Sequence, residues 1–233
     1  MFLRSTNDKT KKISIRNAVL RGLADDGGLF MPIKIPVMYP GFLEEMNKLS
    51  FADLSFQIAY QFFQDAITEK KLKKIDNDAI NITAPLVQLN TNIYILELFH
   101  GPTLSFKDFG ARFMARIMSY FASQLKEDLT ILVATSGDTG SAVAHGFFNV
   151  PGTKVYILYP KGKVSEIQEK QLTTMEGNII ALEIKGTFDD CQNLVKRAFL
   201  DKELRKKLHL TSANSINIAR LIPQTFYYFR AFA

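Results

Sequence analysis

The sequence predicts an α/β protein in which a small, mostly helical N-terminal domain precedes a doubly wound parallel sheet. Two observations carry that expectation. Past Pro85, short apolar runs of strand length alternate with segments of helical period, the pattern of βαβ units. Before about residue 80, apolar positions recur at helical spacing, and a polar, lysine-rich segment follows them. Residues 1–80 are therefore expected to form one domain and residues 81–233 the sheet-bearing one.

Taken in order, ISIRNAVLRGLA (13–24) sets Ile15, Val19 and Leu23 on one helical face, and the glycines and proline of DDGGLFMP stop it. A second helix is expected over about 50–66, SFADLSFQIAYQFFQDA, with TEKKLKKIDNDA near the domain boundary. The runs NIYILEL (92–98), LTILVAT (129–135), TKVYILY (153–159) and NIIALEI (178–184) suit buried parallel strands. DFGARFMARIMSYFASQL, GSAVAHGFF, VSEIQEKQLTTM and FDDCQNLVKRAFLDKELRKKL read as the intervening helices. In the first of these, Phe109, Phe113, Ile117 and Phe121 recur every four residues. Right-handed crossovers place the C-terminal ends of the strands on one edge. The polar loops FHGPTLSFK, TSGDTGS, PKGKVS, KGTFDD and SANSIN then converge where open α/β sheets bind ligands, which predicts an enzyme acting on a small molecule.

Composition narrows the class. A hydrophobic share of 47% with 22% charged residues describes a folded, globular chain. Its 29 Lys and Arg against 23 Asp and Glu give a net charge of +6, which fits a solvated surface, a nucleic acid or an anionic small molecule. No apolar run approaches the roughly 18 residues needed to span a bilayer. MFLRSTNDKTKK lacks a signal-peptide core, so a cytoplasmic protein with no membrane partner is expected. The single cysteine, Cys191, rules out an intramolecular disulfide and reads as a small buried hydrophobe. His100, His145 and His209 show no ligand spacing, so no metal is expected. The terminal FYYFRAFA reads as a core stripe, because stacking on nucleic acid needs basic interleaving that Arg230 alone does not supply.

Two motifs carry chemistry. TSGDTGS (135–141) follows a strand and opens a helix, where backbone N–H groups and hydroxyls suit a carboxylate or phosphate. It also reads as a plain turn capped by Ser136 or Asp138. Neither GxxxxGK[ST] nor GxGxxG occurs. In LFHGPTLSFKDFG, Lys107 sits at a strand-to-helix junction, where Phe106 and the helix dipole disfavour the ammonium and leave a nucleophile suited to a Schiff base. Asp108 pulls the other way, and in isolation Lys107 also reads as a surface residue. His100 reads as a loop-packing or hydrogen-bonding residue in preference to a general base.

Six segments in succession carry a resemblance: GLADDGGLFMP, LELFHGPTLSFKDFGARF, ATSGDTGSA, LYPKGKVSEIQEKQL, GTFDDCQNLVK and SANSINIARLIPQ. Together the chain resembles the threonine synthase family, pyridoxal-phosphate enzymes of fold type II. The resemblance implies that Lys107 holds pyridoxal 5'-phosphate, that Phe106 lies near the cofactor and that Asp138 contacts its phenolic oxygen. It implies that Ser136, Gly137 and Thr139 receive the substrate carboxylate. Among Asn214, Ser215, Asn217 and Arg220, it implies groups that bind the phosphate of O-phosphohomoserine. The implied reaction turns O-phospho-L-homoserine and water into L-threonine and phosphate by γ-elimination and β-addition. A phospholyase on the same scaffold and an inactive fragment acting as a binding module are the other readings. The sequence departs from the family pattern at STND (5–8), where STRG is usual, and at Asp138, where many fold-type II relatives have asparagine. It also stops at Ala233, before the family's Gly/Asn-rich phosphate loop. The chain is therefore expected to be an N-terminal portion that alone holds cofactor weakly and turns over little, with its oligomeric state left open.

Overall fold

A computed structural model describes residues 1–126 and 128–233. Three short strands, β1 (Phe2–Ser5), β2 (Lys12–Ser14) and β3 (Phe30–Pro32), form an antiparallel sheet in the order β2-β1-β3. Strands of three and four residues are too short to show alternation, and sequence periodicity did not reveal this sheet. Between β2 and β3, α1 (Ile15–Arg21) starts at Ser14, whose hydroxyl accepts the Asn17 N–H. It is shorter than its periodicity predicts, because Gly22 adopts a φ of 73° and leaves Leu23 outside the helix and exposed. A short helix α2 (Phe42–Glu45) and a 3-10 turn lead to α3 (Phe51–Phe63), and the lysine-rich segment forms α4 (Glu69–Ala79).

Next, β4 (Leu86–Asn90) and β5 (Ile93–Leu96) pair antiparallel as a separate two-stranded ribbon. This corrects the expectation for NIYILEL, which is neither buried nor parallel: Ile93, Tyr94 and Ile95 are all exposed. The connection explains the difference. The Asn90 side-chain oxygen accepts the N–H groups of Asn92 and Ile93 at 3.1 and 3.0 Å, closing a turn that returns the chain onto β4.

The long helix α5 (Lys107–Leu125) precedes the main sheet. That sheet is fully parallel and contains β6 (Leu129–Ala134), β7 (Thr153–Pro160), β8 (Ile179–Ile184) and β9 (Leu210–Thr211) in the order β8-β7-β6-β9. Helices α6 (Asp138–Phe147) and α7 (Glu166–Thr173) carry the chain from β6 to β7 to β8. The return to β9 runs through α8 (Phe188–Leu200) and α9 (Lys202–Lys207), and α10 (Ile218–Phe232) follows. Because the return reverses direction, right-handed crossovers set α6 and α7 on one face and α8 on the other, as the doubly wound expectation requires. The expected single helix over 188–208 is broken in two. Asp201 leaves helical geometry, and its carboxylate accepts the Glu203 and Leu204 N–H groups to cap α9.

The four-residue spacing in α5 is the spine of the core, with Phe109, Phe113, Ile117 and Phe121 all fully buried. Phe113 packs against Phe63 of α3 and Phe226 of α10, and Phe109 against Phe51 and Tyr227. One hydrophobic cluster thus runs from the N-terminal strands to the last helix. The terminal aromatic stripe is split: Phe226 and Tyr227 enter the core, while Tyr228 and Phe232 are exposed. Among the described residues, no helix is long and apolar enough to cross a membrane.

Candidate active site at the start of two helices

The strand order reverses at β6, since β7 lies on one side of it and the late strand β9 on the other. Loops 135–137 and 212–217 leave the C-terminal ends of these adjacent strands, at the switch point where open α/β sheets bind ligands. Lys107 opens α5, and Asp138 opens α6.

Neither helix begins with an ordinary side-chain cap. Before α5, the loop is held by Asp108, which is fully buried and lies in the first turn. Its two oxygens accept the Thr103 N–H at 2.9 Å and the Thr103 hydroxyl at 2.7 Å. Asp108 therefore faces back into its own loop and fixes the approach to Phe106 and Lys107. At α6, Gly137 is the cap residue, and neither Ser136 nor Asp138 caps with its side chain. The Thr135 hydroxyl does that work, accepting the Gly137 and Gly140 N–H groups at 3.0 and 2.8 Å. Gly137 has φ 148°, where an L side chain is strained, and an added Cβ would stand 2.5 Å from the Gln168 amide and displace it.

These two helix starts bring Lys107 and Asp138 together, with Nζ 3.3 Å from Oδ2. The ammonium also lies 4.6 Å from the centre of the Phe106 ring. The lysine side chain is 23% exposed and the aspartate 56%, so the pair stands at the rim of the crevice rather than inside the core. Asp138 is held further by Gln168 of α7, whose Nε2 donates to Oδ1 at 2.7 Å. That hydrogen bond first, and then the Lys107 ammonium, keep the Asp138 carboxyl below its ordinary value.

The residues of the second loop divide. Asn214 and Ser215 are exposed, and the Ser215 hydroxyl donates to the Asn214 side chain at 3.3 Å. Asn217 is fully buried and turned toward α1, donating to the Val19 carbonyl at 2.9 Å and accepting the Ala219 N–H to cap α10. Arg220 is buried, with a guanidinium N–H donated to the Ala213 carbonyl at 2.9 Å. Burial pushes its value down to about 10, which leaves it cationic at neutral pH. Its backbone abuts α5, where a Cβ on Gly110 would lie 3.0 Å from the Arg220 carbonyl. His100 pairs with Glu97 at 2.7 Å. A cleft of about 700 Å³ lies at the N-terminal sheet, lined by Ser5, Asp8, Lys11, Arg21 and Asp25 among others, and none of the candidate site residues borders it.

Thr135, the clamp made by Asp108 and the Gln168 contact were all missed by sequence reasoning. Gln168 carried a readable local signal, the Ser-x-x-Gln capping box that starts α7. Its contact with a residue thirty positions earlier had none.

Comparison with known proteins fixes the family. Residues 3–80 match the family described as threonine synthase N terminus. Residues 80–227, more than half of the chain, match the one described as pyridoxal-phosphate dependent enzyme. The chain belongs to the pyridoxal-phosphate-dependent enzyme family. Within that family, its likeness is to threonine synthases. The threonine synthase of Buchnera aphidicola subsp. Baizongia pistaciae is 47% identical over 234 residues, covering 100% of this chain and 54% of that protein. The crystal structure of the Escherichia coli threonine synthase matches with a TM-score of 0.90 at 47% identity, covering 99% of this chain and 54% of that one. A pyridoxal-phosphate-bound threonine synthase from Brucella melitensis matches with a TM-score of 0.93 at 39% identity, covering 99% and 51%. This member of the pyridoxal-phosphate-dependent family thus spans about half the length of the relatives it matches.

Proposed function

We propose that this chain carries the lysine side of a threonine synthase active site, acting on O-phospho-L-homoserine with pyridoxal 5'-phosphate. The observation that carries the reading is Lys107, a partly covered primary amine at the switch-point edge, oriented by a carboxylate from the next helix. The residues present fit the cofactor on this side. Lys107 offers the amine that would hold it, the exposed Phe106 ring lies beside that amine, and Asp138 would line the cofactor.

Bound there, pyridoxal phosphate supplies an electron sink next to the α-carbon of an amino acid. The work of the chain is positional and acid–base. The Lys107 Nζ takes the proton from the α-carbon and then serves the β-carbon, with Asp138 fixing where the amine stands. The first-turn N–H groups of Asp138 and Thr139 have no acceptor within their own helix, and with Ser136 and Gly137 they suit the substrate carboxylate. Arg220 is a buried cation for which no ion pair is formed among the described residues, a costly state that an incoming phosphate ester relieves. Asn214 and Ser215 supply further polar contacts from the same loop, and Asn217 holds that loop by capping α10.

The test is the visible spectrum of the purified chain titrated with pyridoxal phosphate, beside Lys107→Ala. The expected result is an absorbance band that appears in the wild-type chain and is lost in the variant. A band of equal size in both would overturn the assignment of Lys107, and none in either would mean that this half of the protein does not assemble the cofactor site by itself.

A further inference from the structure

We propose that Gln168 is a positioning residue of this site: its side-chain amide holds the Asp138 carboxylate in the orientation that receives Lys107. The inference rests on the reading of Lys107 as the reacting amine, and the observations that carry it are geometric. Gln168 is the third residue of α7 and belongs to a capping box. Its Oε1 accepts the Ser165 N–H at 3.3 Å, and its own backbone N–H is donated to the Ser165 hydroxyl at 3.3 Å. With Oε1 committed to the cap, the amide can turn only its Nε2 outward, and that group donates to Asp138 Oδ1 at 2.7 Å. The other carboxylate oxygen, Oδ2, is left for Lys107 at 3.3 Å. One amide therefore ties the start of α7 to the start of α6, and through Asp138 to the start of α5.

The missing side chain at 137 fits the same arrangement. A Cβ there would lie 2.5 to 2.7 Å from all three amide atoms of Gln168, so a side chain at 137 would push that amide off Asp138. An ordinary helix cap needs no such clearance. Asp138 has Lys107 and Gln168 as its two facing partners, and Lys107 has Asp138 and the Phe106 ring. Removing the amide leaves Asp138 free to rotate and Lys107 with a partner of undefined direction.

The decisive variant is Gln168→Glu in the full 233-residue chain. Glutamate is a normal third residue of a capping box, so the Ser165 contact and α7 are kept, while the N–H donor toward Asp138 is replaced by a second carboxylate. Asp138 is followed by carboxyl-carbon NMR, its signal assigned by its loss in Asp138→Asn. The expected result is a chain that still unfolds cooperatively, with an Asp138 titration that moves upward past the ordinary carboxylate range and a midpoint that falls at neutral pH while staying unchanged below the carboxylate range. Gln168→Leu removes the donor without adding charge and should move the titration upward by less. In both variants the rate of Lys107-dependent absorbance change with pyridoxal phosphate should fall roughly tenfold, the scale of one lost charge-assisted hydrogen bond. An Asp138 titration that stays at its wild-type position in either folded variant would overturn the proposal, because a purely capping role does not touch that group. If the Lys107→Ala variant shows the same band as the wild-type chain, the functional reading of the lysine fails, and the Asp138 titration still decides the role of Gln168.

Discussion

Among the described residues two aspartates are fully buried, one beside the candidate site and one in the N-terminal region, and they are built in opposite ways. Asp108 lies in the first turn of α5, where the helix dipole favours negative charge, and both of its oxygens are bonded to Thr103. Asp76 lies near the end of α4, where the dipole disfavours negative charge. One of its oxygens meets the Ser55 hydroxyl at 2.6 Å, and the other has no partner. Burial is the main cause that pushes Asp76 up to about 7, with Asp53 adding to it and Ser55 opposing it. The difference teaches that depth alone does not say what a buried carboxyl does. Donors on both oxygens at a helix start make Asp108 the clamp of a loop, whereas one donor near a helix end leaves burial to push Asp76 upward.

The strongest way to break the comparison is Asp108→Ala. It leaves the Thr103 N–H and hydroxyl without acceptors in a buried loop. Two hydrogen bonds to a charged group place the loss at about 4 kcal/mol of unfolding free energy. Urea unfolding checks the magnitude, and the Lys107-dependent band should disappear even where the chain remains folded. A loss of less than about 1 kcal/mol would show that Asp108 is not the clamp of this loop.

The two regions also differ in how far their sequences could be read. LTILVAT and TKVYILY announce buried strands because they are continuous apolar runs, and the phenylalanine spacing of α5 announces its buried face. NIYILEL has the same composition but lies in a hairpin, and only the Asn-Thr-Asn turn before it, flanked by two strand-like runs, carried that signal. The break at Asp201 was marked by a capping residue followed by charged helix formers inside an apparently continuous helix. At the candidate site, the start of a helix near Lys107 was legible from the apolar spacing that follows it. The oxygen partner of that lysine on α6 and the Gln168 amide behind it were not, since contacts across thirty residues follow from sheet topology and leave no local pattern. Asp76 sits in a lysine-rich stretch that reads as solvated surface, yet it is buried because α3 packs over that face of α4.

The second prediction concerns pH. A carboxyl whose folded value is raised binds its proton more tightly in the folded state than in the unfolded one. Asp76 therefore costs nothing below its unfolded value near 3.8, and its cost grows as pH rises toward about 7 and is fully present above that. The decline across this window should be on the order of 4 kcal/mol, read from urea midpoints at successive pH values. Asp53, which forms an ion pair with Lys73 at 3.6 Å, is the other carboxylate acting on Asp76. Asp76→Asn should flatten the slope between pH 4 and 7, whereas a slope that persists unchanged in this variant would assign it to other groups.

The smallest expected effect sharpens the contrast most. The Ser55 oxygen lies 2.6 Å from Asp76 and 2.9 Å from the Ala52 carbonyl, and a hydroxyl has one proton to share between them. A protonated Asp76 removes the conflict, donating its own proton to Ser55 while Ser55 donates to Ala52. Ser55→Ala should therefore cost about 1 kcal/mol at pH 5, where it removes a neutral hydrogen bond. Above pH 7 it should cost more, because the ionised carboxylate loses its one donor, and the pH slope of stability should steepen. An equal loss at pH 5 and pH 9 would mean that Ser55 contributes packing alone, and Asp76 would then stand without the partner that distinguishes a tolerated buried acid from an uncompensated one.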